Sequence, residues 1–600
     1  MGPLVKAPIG LAKYMLLLMA VIGLFAVACS SASAPAEPAS EPAAKVEMTG
    51  ITPIPSEPTS APAKGSAEAP KAAEAPKAAA EQAPAPAAVT STKDTLTLVT
   101  NGEPDLLGAW SQGCSGNVPS LVCEDLASDP LTWIDSTTFE VVPLTGVEKW
   151  EQIDPDRWRF YLRDGVTFHN GEAWNADAAK LGIDMHGDKE TNGHGTGSFG
   201  FHGVISGEVV DDMTVDVVCE VACPILPRTT IFLKFQAPEW WAATEEGTRD
   251  RTTVGNGPYK VVEWRVGQEV ELEAFEDYKP NDAFDSQAPA IKQVFQVWRD
   301  EEIVRASMIA TGEADLAFEI GFENIDRVPR AIAGTNNEVY TLVADNIWHP
   351  ELKKKKVRQA LALAIDCQAI VDNLYNGLQD CYGNISQTGT VGITPENSKG
   401  YGYDLNKAKQ LLEEAGYDSD NEIRIHSRQG RVFRDVELWE SVVSMWSEIG
   451  VNASLQILEP SKAREARRSG CGQYKGDEAL NCSDQEPPPP MHASSHYYET
   501  ATSNESLDMQ RQLLLRNSCF NVNSRVCNNV PGFQDMIEEA IATPLGDQRT
   551  ARMENLATII HDEYWFLPMF QVVTVYGLAD DLEWTPRYDP RTRVNTMSFK

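Results

Sequence analysis

Between Trp150 and Trp174 the chain commits to a strand with one buried face. Trp158, Phe160 and Leu162 alternate with Arg157, Arg159, Tyr161 and Arg163, a period of two that fits a pleated strand and not a helix. Asp164-Gly165 offers the positive φ values of a tight turn, and Val166 and Phe168 resume the apolar alternation, so a hairpin is expected here. Asn170-Gly171 predicts a second turn, and Asn175 is placed to cap a helix beginning near Ala176, with Asp177 in its first turn. The stretch holds no nucleophile, metal cage or phosphate loop. On its own it predicts scaffold, not chemistry.

A chain of 600 residues exceeds one ordinary core, so two or three domains are expected. Hydrophobic residues make up 42%, enough for a globular body and too few for a polytopic membrane protein. The net charge is −36, made more negative when a leader containing Lys6 and Lys13 is removed. A field of that sign repels nucleic acid and anionic headgroups, which argues against nucleic acid as a partner.

That leader spans 1–28. Its two lysines precede an apolar run from Tyr14 to Ala28, too short for a comfortable membrane span and ending in small residues. The close, Ala26-Val27-Ala28-Cys29-Ser30, resembles a bacterial lipobox, in which Cys29 is lipidated and becomes the mature N-terminus. An ordinary secretory signal with an incidental cysteine is the competing reading. From 29 to 93 the sequence is almost wholly Ala, Pro, Glu, Lys, Ser and Thr, a composition that cannot bury enough apolar surface to offset chain entropy. It predicts a disordered tether with a reach of about 45 Å.

Beyond Cys29, ten cysteines fall into neighbouring couples: Cys114 and Cys123, Cys219 and Cys223, Cys367 and Cys381, Cys471 and Cys482, Cys519 and Cys527. In an exported chain they predict disulfides, with nearest neighbours paired, each short loop contributing about 2–3 kcal/mol. Sequence leaves the connectivity open. Cys219 and Cys223 would stand ~13 Å apart in an extended strand, so a disulfide there requires a turn. Zinc is disfavoured, because no couple is a tight C-x₂-C followed by a second pair. His186, His194 and His202, in a glycine-rich loop from Met185 to Gly203, match no ligand spacing and read as surface loop. No metal site and no cofactor is expected.

Elsewhere local signals give both strands and helices in an ordered body that starts at Thr95. Ile303–Thr311 reads as a helix ended by Gly312. Val357, Ala360, Leu361, Ala364 and Ile365 recur at helical spacing, Asp404 caps a helix stopped by Gly416, and Phe433–Ile449 carries another apolar stripe. Asp418-Ser-Asp-Asn-Glu422 begins like a calcium loop but lacks the glycine at its sixth position. G-x-S-x-G and H-E-x-x-H are absent, and no catalytic pair can be named by spacing, so a secreted hydrolase is disfavoured and the chain is read as not an enzyme.

Several words stand in a telling order. They are Trp158-Arg-Phe-Tyr-Leu-Arg-Asp-Gly-Val-Thr-Phe-His-Asn-Gly171 with Ala176-Asp177, Gly255-Asn-Gly-Pro-Tyr-Lys-Val-Val-Glu-Trp264, and Gly312-Glu-Ala-Asp315. Then come Val357-Arg-Gln-Ala-Leu-Ala-Leu-Ala-Ile-Asp366, Tyr403-Asp-Leu-Asn-Lys-Ala-Lys-Gln-Leu-Leu-Glu-Glu-Ala-Gly-Tyr417, Phe566-Leu-Pro-Met-Phe570 and Val575-Tyr-Gly-Leu578. Together they resemble the extracellular solute-binding proteins of ABC importers, in the peptide- and nickel-binding family, often lipid-anchored. The resemblance implies a bilobal α/β solute-binding fold with two chain crossings and an extra subdomain on the first lobe. By analogy lobe I is 94–341 with the return 568–600, the subdomain about 133–253, and lobe II 342–567.

The same resemblance implies a monomeric receptor, lipid-anchored at the extracytoplasmic face of the cell membrane. It would capture peptides or similar oligomeric solutes between its lobes and deliver them to an ABC permease with its ATPase subunits. Nickel complexes, oligosaccharides or a non-transporting sensor role stay open. Peptide binders of the family hold the ligand's ammonium with an aspartate in a segment like Trp-x-x-Asp-Tyr-x-Asp-Pro. The corresponding stretch here is Leu480-Asn-Cys-Ser-Asp-Gln-Glu-Pro-Pro-Pro-Pro490, with Asp484 the nearest analogue, although the tryptophan and tyrosine are missing. A charge-assisted bond to Asp484 competes with a plain surface acid. Trp110 offers an aromatic cleft wall or core packing. His492 and His496, one helical turn apart, offer contact to a metal complex but lack a third ligand.

Overall fold

The computed structural model describes residues 93–600 apart from 109–120, 189–204, 282, 429, 468–477, 479–481, 487–495, 522–523 and 527–529. The leader, Cys29, the tether, Trp110 and His492 lie outside the described residues. In chain order the strands are β1 (Thr95–Thr100), β2 (Thr132–Ile134), β3 (Val141–Pro143), β4 (Val147–Asp154), β5 (Arg157–Leu162), β6 (Ile205–Asp211), β7 (Thr214–Cys219), β8 (Tyr259–Arg265), and β9 (Glu269–Ala274). They continue with β10 (Gln293–Trp298), β11 (Leu316–Ala317), β12 (Arg330–Ala344), β13 (Ile423–Ser427), β14 (Ala453–Ile457), β15 (Tyr497–Ser503), β16 (Phe566–Leu578), β17 (Leu582–Glu583) and β18 (Ser598–Phe599). The fold is α/β, and no helix among the described residues is long and apolar enough to cross a membrane.

Ten strands make one sheet in the order β14-β13-β15-β12-β16-β11-β1-β10-β9-β8. Its two ends are built alike: β1 runs parallel to β10 and β11, and β13 runs parallel to β14 and β15. Parallel neighbours need crossover connections, and these supply the covering helices. The middle is the long antiparallel pair β12–β16. Val339 to Ala344 and Phe566 to Phe570 are buried without alternation, as strands covered on both faces must be. Tyr340, Leu342, Leu567 and Met569 join a core with the helices Lys355–Leu363 and Asp435–Glu448, whereas Val343 and Phe566 join another with Phe533–Ala542 and Asp547–Asp562.

Two irregularities interrupt this central pair. Between Thr335 and Val339 three residues of β12 oppose one of β16, a bulge that bends the ribbon. Its Asn336 Oδ1 accepts the Glu338 N–H at 2.8 Å. The second shift, between Tyr340 and Thr341, lies opposite Pro568, which has no N–H to give the ladder.

A separate four-stranded antiparallel sheet, β4-β5-β7-β6, carries the alternating stretch. Trp158, Phe160 and Leu162 are buried with Val215, Val217 and the helix Ala176–Gly187. On the other face Arg157 and Arg159 hold the Asp216 carboxylate at 3.1 and 2.8 Å. Burial alone would raise Asp216; the two guanidiniums outweigh it and hold the carboxyl below its usual range. The expected hairpin at Asp164-Gly165 is corrected. β5 pairs with β4 and with β7, so both its edges are occupied and the chain after Gly165 cannot fold back onto it. Val166 and Phe168 are still buried, and Asn170-Gly171 closes a small turn bridged by Thr167 and Ala173.

Cys219–Cys223 and Cys367–Cys381 are disulfides, and the turn required at the first brings its Cα atoms to 6.4 Å. Cys123 and Cys482 are each disulfide-bonded and Cys519 is buried, while Cys114, Cys471 and Cys527 lie outside the described residues. His186 belongs to the helix rather than to the predicted loop, and His194 and His202 lie outside the described residues.

The segment after β17 folds back over the start of the body. Arg591 pairs with Asp125 at 3.1 Å and Arg593 with Asp129 at 2.8 Å, while Arg587 lies between Asp285 and Asp589. All three guanidiniums lie within 5.4 Å of the Trp133 ring centroid. Buried cations need this double provision of carboxylate and aromatic face.

Candidate ligand-binding cavity

Open α/β sheets bind ligands beyond the carboxyl ends of their parallel strands. Here both parallel sets point those ends at one cavity of about 920 Å³. Asn101 follows β1, Asp300 follows β10 and Glu319 follows β11; from the other set come Ile457, which ends β14, and Gly430–Asp435, which follow β13. The floor is the β12 bulge, Asn336 and Glu338, against Val572–Val575 of β16.

Local sequence places each wall. Gly312, at φ 76°, ends the helix Glu302–Thr311 and sends the chain into β11. Glu319 then takes a left-handed φ of 52° and Gly321 one of 75°, opening the short helix Phe322–Arg327. A left-handed glutamate is a strained choice, of order 1–3 kcal/mol, of the kind that gathers at binding sites. Asn101 Nδ2 donates to Glu319 Oε2 at 2.6 Å, while the Arg305 guanidinium donates to the backbone carbonyls of Phe318, Arg299, Asp300 and Glu319. Burial pushes the Glu319 carboxyl up, and Arg305 and Arg431 draw it part of the way back.

On the opposite wall Gly430 and Arg434 are also left-handed, at 82° and 56°. The Asp435 carboxylate accepts the Arg431 N–H at 2.7 Å, tying the loop to the start of the helix Asp435–Glu448. Arg431 pairs with Glu338 from the floor; burial would lower this guanidinium, and Glu338 more than offsets that and keeps it charged. Two contacts run from wall to wall: Arg434 pairs with Glu323, and the Phe433 ring meets Phe322 edge-on at 5.4 Å. Gln379, from the loop closed by Cys367–Cys381, accepts the Val573 N–H at 3.0 Å.

Of the residues singled out from sequence, Trp110 and His492 lie outside the described residues, and the others do not line this cavity. Asp484 is exposed in a short turn, Cys482–Asp484, and is not among the cavity's lining residues. His496 accepts the Arg424 N–H at 3.0 Å and packs on His349 at 4.3 Å, also away from the lining. No group of three metal-binding side chains occurs among the described residues. The lining residues escaped notice because they come from eight separated segments. The available signal was the glycine Gly321, a short distance after the helix end at Gly312.

The model of the bacterial extracellular solute-binding proteins, family 5, matches residues 140–481. A glutathione-binding protein from Pectobacterium atrosepticum is 27% identical over 270 residues, covering 43% of this chain and 49% of the relative. The chain thus spans about half the length of that curated relative. Among solved structures, an ABC transporter substrate-binding protein from Listeria monocytogenes is 19% identical with a TM-score of 0.69, covering 84% of this chain and 99% of its own. A dipeptide-binding protein from Pseudoalteromonas sp. SM9913, in complex with Met-Leu, is 19% identical with a TM-score of 0.68, covering 84% and 100%.

Proposed function

Because the chain belongs to the bacterial extracellular solute-binding proteins of family 5, we propose that it is the solute receptor of an ABC importer. In this reading 94–341 with 568–600 form lobe I, 342–567 form lobe II, about 133–253 is an extra subdomain, and β12 and β16 are the two crossings. The cavity is then the cleft between lobes. A single observation carries this best: two sets of parallel strands aim their carboxyl ends at one cavity from opposite sides. Its volume falls in the range of small-ligand sites.

The cargo we propose is a peptide or similar small oligomer. A relative named for glutathione and a fold neighbour holding Met-Leu support that choice, while a fold neighbour holding Ni(L-His) makes nickel complexes the second reading. The lobes would close about the bulge in β12, and the closed form would be read by a permease with its ATPase subunits. Cys29 would carry the lipid, and 29–93 would hold the receptor off the membrane. Binding is the whole task; no chemistry on the cargo is needed.

Thermal shift against di- to pentapeptides, with sugars alongside, tests the cargo. Stabilisation by peptides is expected, and none from any peptide would sink that reading. For the anchor, Cys29→Ser is expected to move the protein from the membrane fraction into the medium or periplasm. Retention in the membrane would remove Cys29 from that role.

A further inference from the structure

The cavity's charges are unevenly spent. Eight carboxylates and three guanidiniums line it. The guanidiniums already have work. Arg305 donates to four backbone carbonyls, Arg431 faces Glu338, and Arg434 faces Glu323. Each therefore reaches an anionic ligand with a partner already in place.

The carboxylates are balanced differently. Glu319, Asp300, Glu302, Glu437 and Glu440 take part in no ion pair among the described residues. Glu319 is half-buried, with the neutral Asn101 amide on one oxygen. Eight carboxylates outnumber the three guanidiniums that partly offset them, so a bound cation would relieve the remaining repulsion, and that interaction strengthens as water leaves. Buried Phe322 and half-buried Phe433 add aromatic lining, a surface that suits an alkyl-ammonium as well as an apolar group.

We propose that the cavity selects solutes of net positive charge and that Glu319 is the residue that reads that charge. The inference rests on the receptor reading above and narrows it to basic peptides or polyamine-like cations. It predicts discrimination by charge at equal length.

The test is calorimetry on the full chain in detergent at about 50 mM salt, with tri-lysine, tri-alanine, tri-glutamate and spermidine as probes. Tri-lysine is expected to bind about tenfold tighter than tri-alanine, and tri-glutamate to give no heat. Glu319→Gln is expected to weaken tri-lysine about tenfold and tri-alanine less than about threefold. A second variant, Glu437→Gln with Glu440→Gln, alters only exposed positions on the helix Asp435–Glu448 and so should fold. It is expected to weaken tri-lysine about threefold at low salt and hardly at all at about 0.5 M, where outer charges are screened. Equal or tighter binding of tri-alanine or tri-glutamate overturns the charge inference and leaves the receptor reading standing. Spermidine binding without any peptide binding supports the charge inference and overturns the peptide cargo. No heat from any probe, with no stabilisation by the peptide library, overturns both.

Discussion

His186 is 3% exposed, and its Nε2 accepts the Lys234 N–H at 3.0 Å. Burial lowers its pKa to about 4, and burial does the same to His426, whose ring meets Gln456 at 2.9 Å. Both are held neutral in the fold, so the unfolded chain binds more protons below its own value of ~6.5. The stability they contribute is present above that pH and is lost as pH falls from about 6.5 toward 4. Urea unfolding should lose roughly 2 kcal/mol per histidine between pH 6.5 and 5. His186→Gln keeps an acceptor without a titration and should flatten that slope by about one histidine's share; an unchanged slope would remove His186 from the account. The same scale shows what sequence can reveal. Asn175 and Asp404 cap their helices, and Gly312 and Gly416 end theirs, as their residue types predict, because each partner lies within four residues. Glu319 and Asn101 lie 218 residues apart, and nothing local brings them together.

Elements were legible where a periodicity identified them and illegible where a neighbour had to be chosen. The alternation at Trp158 gave β5, but its partners were decided by which edges were open, and β4 and β7 took both. Two elements lend themselves to direct tests. The loop 376–381 reverses at Asn376 and Gly377, both at positive φ, and is closed by Cys367–Cys381 across 14 residues. Cys367→Ser with Cys381→Ser should cost about 3 kcal/mol by the chain-entropy model and should weaken ligand binding by freeing Gln379 at the cavity. Urea unfolding and calorimetry of the double variant check both effects. The wall-to-wall contacts behave differently. Arg434–Glu323 is half-exposed and worth under about 1 kcal/mol, so its loss should barely move stability. Glu323→Ala with Phe433→Ala should instead enlarge the ligand-free particle, read as a higher radius of gyration by solution scattering. An unchanged radius would deny those contacts any part in holding the walls together.

At the scale of the whole molecule, the blocks along the sequence led to the right family, while the cavity could not be read from them. The family blocks are scaffold words such as Trp158–Gly171 and Gly255–Trp264, fixed by turns and packing, and they recur wherever the fold does. The lining is built from chain ends of strands that meet only in three dimensions, so it carries no word of its own. One scaffold feature has reach beyond stability. Arg591 and Arg593 find Asp125 and Asp129 at separations of 466 and 464 residues, around a Trp133 ring buried beneath them. Arg593→Ala leaves Asp129 buried without its cation and should cost several kcal/mol in urea unfolding. The wider consequence concerns timing. A nascent chain holds Asp125, Asp129 and Asp285 long before their arginines are synthesised, so three carboxylates wait around an empty centre. Until the last stretch arrives those carboxylates lack their cations, so that part of the body is expected to set only after residues 587–593 are made.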